Sequence, residues 1–263
     1  METLPAQFNQ AVSNVTINEE KRTRAIEAHT EVRTLLESDE VLTSWGIDTF
    51  LIGSYGRQTA RYPGKDVDIF LRLVNLTVDA DPADVYRRVA DVLVTRYGLA
   101  DAGGRVTLQA RSVKVDFAPP TGRGELGFSV DAVPAVPKGQ HWAIPNRNRD
   151  SWTERADRWI LTDPIEFHSL TNTVANNGPS VNSDNAYRQI VRLLRQIRHT
   201  HLGEAKPGGL YVEIAAYYAW RDGLVRGASW AELLTASLRQ VAFIFERSAF
   251  CEGHPQARGR PLS

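Results

Sequence analysis

The sequence predicts an α+β protein in which a mixed α/β lobe precedes an all-helical lobe. Before about residue 134, short strand-like runs alternate with two segments of helical periodicity. After residue 150 the periodic segments have helical spacing. The chain has 263 residues, which is enough for two modest lobes. We therefore assign residues 1–150 to the first lobe and residues 151–263 to the helical lobe.

The first lobe has the elements of a sheet covered by helices. Apolar residues at helical spacing predict helices over residues 16–38 and 82–97. Short runs rich in apolar and β-branched residues predict strands at 49–52, 67–73, 106–109, 112–118 and 126–133. Residues 137–149 are polar and irregular, and we expect them to connect the lobes.

In the helical lobe, turn residues at 176–179 and 206–209 separate the periodic segments. The predicted helices cover 164–176, 184–201, 211–221 and 230–245. The tail 251–263 contains Gly, Pro and Arg, and we expect it to be disordered.

Composition excludes several classes of protein. The 31 Lys and Arg residues equal the 31 Asp and Glu residues in number, and a net charge of zero argues against strong nucleic-acid binding. A single cysteine, Cys251, excludes an internal disulfide framework and a cysteine-rich zinc site. We expect no leader peptide, because Met1 is followed by Glu2 and by no basic and then apolar segment. We expect no membrane partner, because the longest apolar run, 212–220, is too short to span a bilayer. The expected location is cytoplasmic.

Two carboxylates on one strand carry the strongest chemical signal. Asp66 and Asp68 are two residues apart, so both side chains leave the same face of the strand, whereas Val67 faces the core. Adjacent carboxylates repel each other, and a divalent cation removes that repulsion. Mg²⁺ prefers oxygen ligands and is often held by one or two carboxylates together with substrate phosphates.

A Gly-Ser turn precedes the two aspartates. Eleven residues separate Ser54 from Asp66, and the turn follows a predicted strand. A small residue at Gly53 lets the backbone approach a polyphosphate, while backbone N–H groups and the Ser54 hydroxyl can donate hydrogen bonds to phosphate oxygens. The turn and the Asp-x-Asp strand together predict a nucleotide site.

These motifs resemble the polymerase-β-type nucleotidyltransferases, and later motifs narrow the resemblance to the cGAS/DncV-like nucleotidyltransferases (CD-NTases). The resemblance covers about residues 15–245. The matching segments are the GSYGRQT turn at 53–59, the DVDI strand at 66–69, FSVDAVPA at 128–135, WILTDP at 159–164 and the helix at 190–198.

The resemblance implies a polymerase-β-like nucleotidyltransferase lobe and a helical lobe, with the active-site cleft between them. It also implies a third acid on a neighbouring strand. Asp131 matches the family's third acid, and Asp116 competes for the role because it lies on another strand-like segment. The implied cofactor is Mg²⁺, as two ions bound by Asp66, Asp68 and Asp131, with Mn²⁺ as an alternative.

The resemblance also implies a set of nucleotide-binding residues. Arg195 stands where the family has a lysine that contacts the triphosphate, and Gly209 stands where the family has a serine. The expected nucleotide-binding residues are Gly53, Ser54, Tyr55, Arg57, Thr59, Arg192 and Arg195.

By resemblance, the function is to link NTPs into a cyclic di- or oligonucleotide messenger, in bacteria for antiphage (CBASS) defence. The expected partners are nucleoside triphosphates and a defence effector or regulatory protein. One alternative is a polymerase-β-type transferase that moves a nucleotide to tRNA, to a protein or to a small molecule. The other is a catalytically inactive regulatory homologue.

Overall fold

The computed structural model describes residues 4–64, 66–117 and 127–247, so the predicted disordered tail at 251–263 lies outside the described residues. Helices α1 to α9 span Pro5–Val15, Glu19–Glu37, Glu40–Ser44, Gly53–Gly56, Pro82–Tyr97, Pro164–Asn177, Ala186–Leu202, Gly209–Arg221 and Trp230–Arg247. Strands β1 to β9 span Ile47–Ile52, Asp66–Leu73, Val106–Leu108, Val113–Phe117, Phe128–Lys138, His141–Pro145, Trp159–Thr162, Ser180–Val181 and Asp184–Asn185.

The chain divides into two compact units. We call residues 18–57 and 63–168 the sheet unit, and residues 1–17, 58–62 and 169–263 the helical unit. This division differs from a single cut at residue 150. Strand β7 pairs with β6 and therefore groups with the sheet, whereas α1 and the short segment 58–62 group with the helices.

The sheet unit contains a sheet with the strand order β1-β2-β5-β4-β3. Strands β2 and β5 are parallel, and the other pairs in this path are antiparallel. The long strand β5 pairs with different strands along its length. Its first part lies between β2 and β4, and residues 136–138 pair with β6. The central position of β5 brings its side chains next to those of both β2 and β4.

Alternation along β2 separates a core face from a polar face. Val67, Ile69 and Leu71 are fully buried in the main core, which also contains apolar residues of α2 and α5. Asp66 and Asp68 leave the opposite face, where Phe70 packs in a smaller cluster. The burial of the alternate residues therefore fixes the direction of both carboxylates.

Most predicted helices and strands lie within a few residues of their expected positions. The predicted helix at 16–38 is α2, where the Asn18 side chain accepts a hydrogen bond from the backbone N–H of Lys21. The helix predicted at 82–97 coincides with α5, which begins with Asp81 as its N-cap and Pro82 in its first turn.

The expectation that residues 137–149 form an irregular connection is wrong. Strand β5 continues to Lys138, and β6 then pairs with both β5 and β7. The inner residues of β6, Ala143 and Ile144, are buried despite their polar sequence surroundings. Helix α1 is a further element that the periodicity did not predict.

The helical unit has its own core. Helix α7 buries Ile190, Leu193 and Leu194 in that core, together with apolar residues of α8 and α9. Helix α1 contributes Val12 and Val15. In the part of the chain that the structure describes, no helix combines the length and the apolar character needed to cross a membrane.

Candidate active site

Three neighbouring strands bring Asp68, Asp131 and Lys114 into one row. Asp68 on β2 is the register partner of Asp131 on β5, and Asp131 is in turn the register partner of Lys114 on β4. Side chains at partner positions leave the same face of a sheet. The structure therefore places the predicted third acid directly beside Asp68.

The adjacent row contains Asp66, Ser129 and Asp116. Ser129 on β5 is the partner of Asp66 on one side and of Asp116 on the other. The Ser129 hydroxyl donates a hydrogen bond of 2.9 Å to Oδ1 of Asp66. Ser129 thus orients one predicted ligand, and it separates Asp66 from Asp116.

The Asp131 carboxylate lies in an environment that disfavours its negative charge. Its Oδ1 is inaccessible to solvent and has no hydrogen-bond partner. Burial, and then repulsion by Asp68 and Asp66, raise the pKa of Asp131 to about 7. A divalent cation would relieve both causes, because it would supply an electrostatic partner for the buried oxygen and would neutralise the neighbouring charges. The oxygen donors and the negative charge of these residues therefore fit the chemistry of an Mg²⁺ or Mn²⁺ site.

Asp116 has a partner of its own. Its Oδ1 lies 3.0 Å from Nζ of Lys114, and its side chain is 49% exposed. The hydrogen bond to Asp116 is the main cause that raises the pKa of Lys114. Asp116 is therefore neutralised within β4, whereas the buried oxygen of Asp131 is not.

A second acidic group has a structural explanation. The potential metal-ligand atoms of His141, Asp163 and Glu166 all lie within 4.8 Å of one another. In the described ranges 4–64, 66–117 and 127–247, those of Asp66, Asp68 and Asp131 are not grouped as closely. Oδ1 of Asp163 accepts a hydrogen bond from the backbone N–H of Glu166 in the first turn of α6. Asp163 therefore caps this helix, which accounts for the aspartate of the WILTDP motif.

Gly53 lies in contact with the aspartate face. Its φ of +66° is in the left-handed region, and a Cβ added there would lie 1.9 Å from Oδ2 of Asp68. The preceding residue, Ile52, is the register partner of Asp68. Glycine is therefore required by both the backbone conformation and the close approach of the carboxylate.

The other predicted residues of the turn differ in their surroundings. Ser54 is half-buried in α4. The Tyr55 hydroxyl donates to the carbonyl oxygen of Gly64 at 3.3 Å, and burial followed by the charge of Asp66 raises the pKa of Tyr55 to about 12. Arg57 is buried, with its guanidinium carbon 4.9 Å from the centroid of the Phe167 ring. Arg57 is thus packed within the sheet unit.

Within the helical unit, the predicted arginines bind the segment 58–62. Arg192 donates to the carbonyl oxygen of Gln58 at 2.9 Å, and Arg195 donates to that of Thr59 at 2.9 Å. Burial, and then the charge of Arg188, lower the pKa of Arg192 to about 10. These guanidinium groups therefore anchor the end of the GSYGRQT turn through its backbone, which sequence periodicity did not predict.

Residues 1–175 match the family described as the Second Messenger Oligonucleotide or Dinucleotide Synthetase (SMODS) domain, which is two thirds of the chain. The chain belongs to this family. A curated relative, the cyclic AMP-AMP-AMP synthase of an Acinetobacter species, is 27% identical over 196 residues, or 71% of this chain. This chain spans 50% of the length of that relative.

Solved structures of CD-NTases share the fold of this SMODS protein. The Bradyrhizobium diazoefficiens CD-NTase CdnG in complex with GTP has a TM-score of 0.67 at 15% identity, covering 92% of this chain and 77% of the other. The apo form of Vibrio cholerae DncV has a TM-score of 0.66 at 11% identity, covering 89% and 76%. The Escherichia coli CdnC structure with ATP has a TM-score of 0.64 at 18% identity, covering 98% and 77%. The predicted polymerase-β-like α+β fold is confirmed.

Glu213 is a buried residue of this SMODS chain that sequence reasoning missed. Its carboxylate accepts a hydrogen bond of 2.7 Å from the Thr59 hydroxyl, and both side chains are buried within the helical unit. The two residues are 154 positions apart. No local pattern in the sequence could have paired them.

We expect Thr59→Val to lower the free energy of unfolding by about 1–3 kcal/mol, because it removes the hydroxyl donor from a buried carboxylate while keeping the shape of the side chain. The measurement is the urea unfolding transition of the purified chain. Thr59→Ser is the control, since it keeps the donor and loses only a methyl group. Equal stability of the two variants would contradict a structural role for this hydrogen bond.

Proposed function

We propose that this protein is a metal-dependent nucleotidyltransferase that links nucleoside triphosphates into a cyclic di- or oligonucleotide. The observation that carries the proposal is the pairing of Asp68 with Asp131 on adjacent strands, with Gly53 packed against the Asp68 carboxylate. This arrangement combines an acidic cluster with a tight turn, which is what a triphosphate and its cations require.

In the proposed reaction, a ribose hydroxyl of one nucleotide attacks the α-phosphorus of another. A phosphodiester bond forms, the bond to the β-phosphate breaks, and pyrophosphate leaves. A later intramolecular attack of the same kind closes the ring. When bound, two Mg²⁺ ions, or Mn²⁺ in their place, would favour ionisation of the hydroxyl and stabilise the charge on the leaving pyrophosphate.

The residues of the chain would hold the reactants. Asp66, Asp68 and Asp131 supply the anionic ligands, and Ser129 orients Asp66 through its hydroxyl. The turn at Gly53 and Ser54 would receive the triphosphate. Arg192 and Arg195 would act by fixing the carbonyl groups of the segment that follows this turn. Positioning and electrostatics would then supply most of the catalysis.

The proposed substrate class draws on related proteins. Structures of CdnG with GTP and of CdnC with ATP establish nucleotide complexes for those two proteins. The name of the Acinetobacter relative states that it makes cyclic AMP-AMP-AMP. Because this chain is similar to these proteins, we extend the class of substrate, nucleoside triphosphates, to it. A role in antiphage defence and a cytoplasmic location are part of the same proposal.

The test is incubation of the chain with the four NTPs and Mg²⁺ or Mn²⁺, followed by chromatography with and without phosphatase treatment. We expect metal-dependent products that resist phosphatase, because a cyclic oligonucleotide has no terminal phosphate. The Asp66→Asn, Asp68→Asn double variant gives the background. Turnover that requires added tRNA or protein, or no turnover at any metal concentration or pH, would contradict the proposal.

A further inference from the structure

Lys114 is the one cation among six residues that occupy two rows of three on the aspartate face. One row is Asp68, Asp131 and Lys114, and the other is Asp66, Ser129 and Asp116. The side chain of this lysine is only 30% exposed, and on β4 the lysine lies between Val113 and Val115, which pack in the core. A positive charge held at the edge of a predicted cation site needs an explanation, because it opposes binding of the cation.

The contact with Asp116 provides that explanation. Residues 114 and 116 are two apart on β4, so both side chains leave the same face. Their charged atoms lie 3.0 Å apart. The lysine therefore neutralises the Asp116 carboxylate. Because this carboxylate is paired with the lysine, it is not available as a direct ligand of a cation.

The position of Lys114 also affects Asp131. The two residues are register partners, and the lysine is the group that lowers the pKa of Asp131 against burial and three carboxylate neighbours. Oδ1 of Asp131 is buried and has no hydrogen-bond partner. Lys114 thus partly compensates the negative charge of Asp131, and it is the cation that lowers the pKa of this carboxyl group.

We propose that Lys114 is a positioning residue of the aspartate site, which limits the ligand set to three carboxylates by pairing with Asp116 and sets the affinity of that site for divalent cations. The inference rests on the proposed function, because it assumes that Asp66, Asp68 and Asp131 hold those cations. Neither Lys114 nor Asp116 contacts the reacting atoms in this proposal.

The test measures Mn²⁺ binding to the full chain without nucleotide, from the loss of the six-line electron paramagnetic resonance signal of free Mn²⁺. For Lys114→Met we expect a dissociation constant about fivefold lower, because a positive charge near the ion is lost and Asp116 is released. For Asp116→Asn we expect a dissociation constant about fivefold higher, since a negative charge is lost and Lys114 is released. The double variant restores the net charge, and its affinity should lie within about twofold of wild type.

The matched control is Lys138→Met, which removes an exposed lysine at the far end of β5. Lys138 lies seven residues beyond Asp131, or about 23 Å along the strand, so its charge is screened and the Mn²⁺ affinity should not change. Unchanged affinity in both Lys114→Met and Asp116→Asn, with normal binding by wild type, would overturn the inference and leave the proposed function standing. Absence of Mn²⁺ binding by wild type would overturn both.

Discussion

Replacement of Asp131 by asparagine should reduce the rate of nucleotide incorporation about 1,000-fold, whereas the same change at Asp116 should leave a rate within about fivefold of wild type. Asp131 is the register partner of Asp68 and has a buried Oδ1 without a hydrogen-bond partner. An amide cannot replace an anionic ligand at this point. A loss of several kcal/mol of charge stabilisation corresponds to a rate reduction of about 1,000-fold.

Asp116→Asn is the matched variant, because it makes the same chemical change one strand away. Its carboxylate is engaged by Lys114 and half exposed, and such a pair contributes about 1 kcal/mol or less. At saturating Mg²⁺ we therefore expect an incorporation rate within about fivefold of wild type. The measurement is the initial rate of labelled NTP incorporation. Loss of activity in Asp116→Asn alone would assign the third acid to Asp116 instead.

The melting temperature of Asp131→Asn shows whether the variant is inactive because its fold is disturbed. The pKa of Asp131 is raised from 3.8 to about 7, so the folded state binds this proton more tightly than the unfolded state does. The associated stability is fully present below pH 3.8 and is lost as the pH rises through 7. In metal-free buffer, Asp131→Asn should therefore melt above wild type at pH 8. A lower melting temperature at that pH would mean that the variant is misfolded.

Local patterns account for much of the fold and for the acids of the candidate site. Alternation around Val67 and Ile69 predicted which way Asp66 and Asp68 point, and burial of those two apolar residues bears this out. Sequence spacing left Asp131 and Asp116 as rivals, because it does not specify which strands are neighbours. The register of β5 between β2 and β4 gives the two residues different partners.

The features that escaped prediction depend on contacts between distant parts of the chain. Strand β6 has polar flanks, and it is stabilised by hydrogen bonding to strands on both sides. Arg192 and Arg195 on α7 are predicted nucleotide-binding residues, yet their guanidinium groups donate hydrogen bonds to the carbonyl groups of Gln58 and Thr59. Those acceptors lie more than 130 residues earlier in the chain, so helical periodicity could not identify them.

Gly53→Ala should reduce NTP incorporation by about 100-fold or more. The added Cβ would lie 1.9 Å from Oδ2 of Asp68, a distance that forces either the carboxylate or the turn to move. Alanine also disfavours the φ of +66° at this position, at a cost of about 1–2 kcal/mol. Because Asp68 is a predicted cation ligand and the turn packs against its carboxylate, movement of either should lower the Mn²⁺ affinity together with the rate of incorporation.

Gly139→Ala separates the effect of the clash with Asp68 from the effect of the positive φ. Gly139, in the turn between β5 and β6, has a φ of +64°, but nothing lies within 4 Å of an added Cβ. This variant carries the same backbone cost without the clash, so it should lose about 1–2 kcal/mol of stability and keep its activity and Mn²⁺ affinity. Thermal unfolding, Mn²⁺ binding and the initial rate would be measured on both variants. If Gly53→Ala and Gly139→Ala have equal rates of incorporation, close packing of Gly53 against Asp68 is irrelevant to the reaction. Glycine would then be needed at position 53 only for its positive φ.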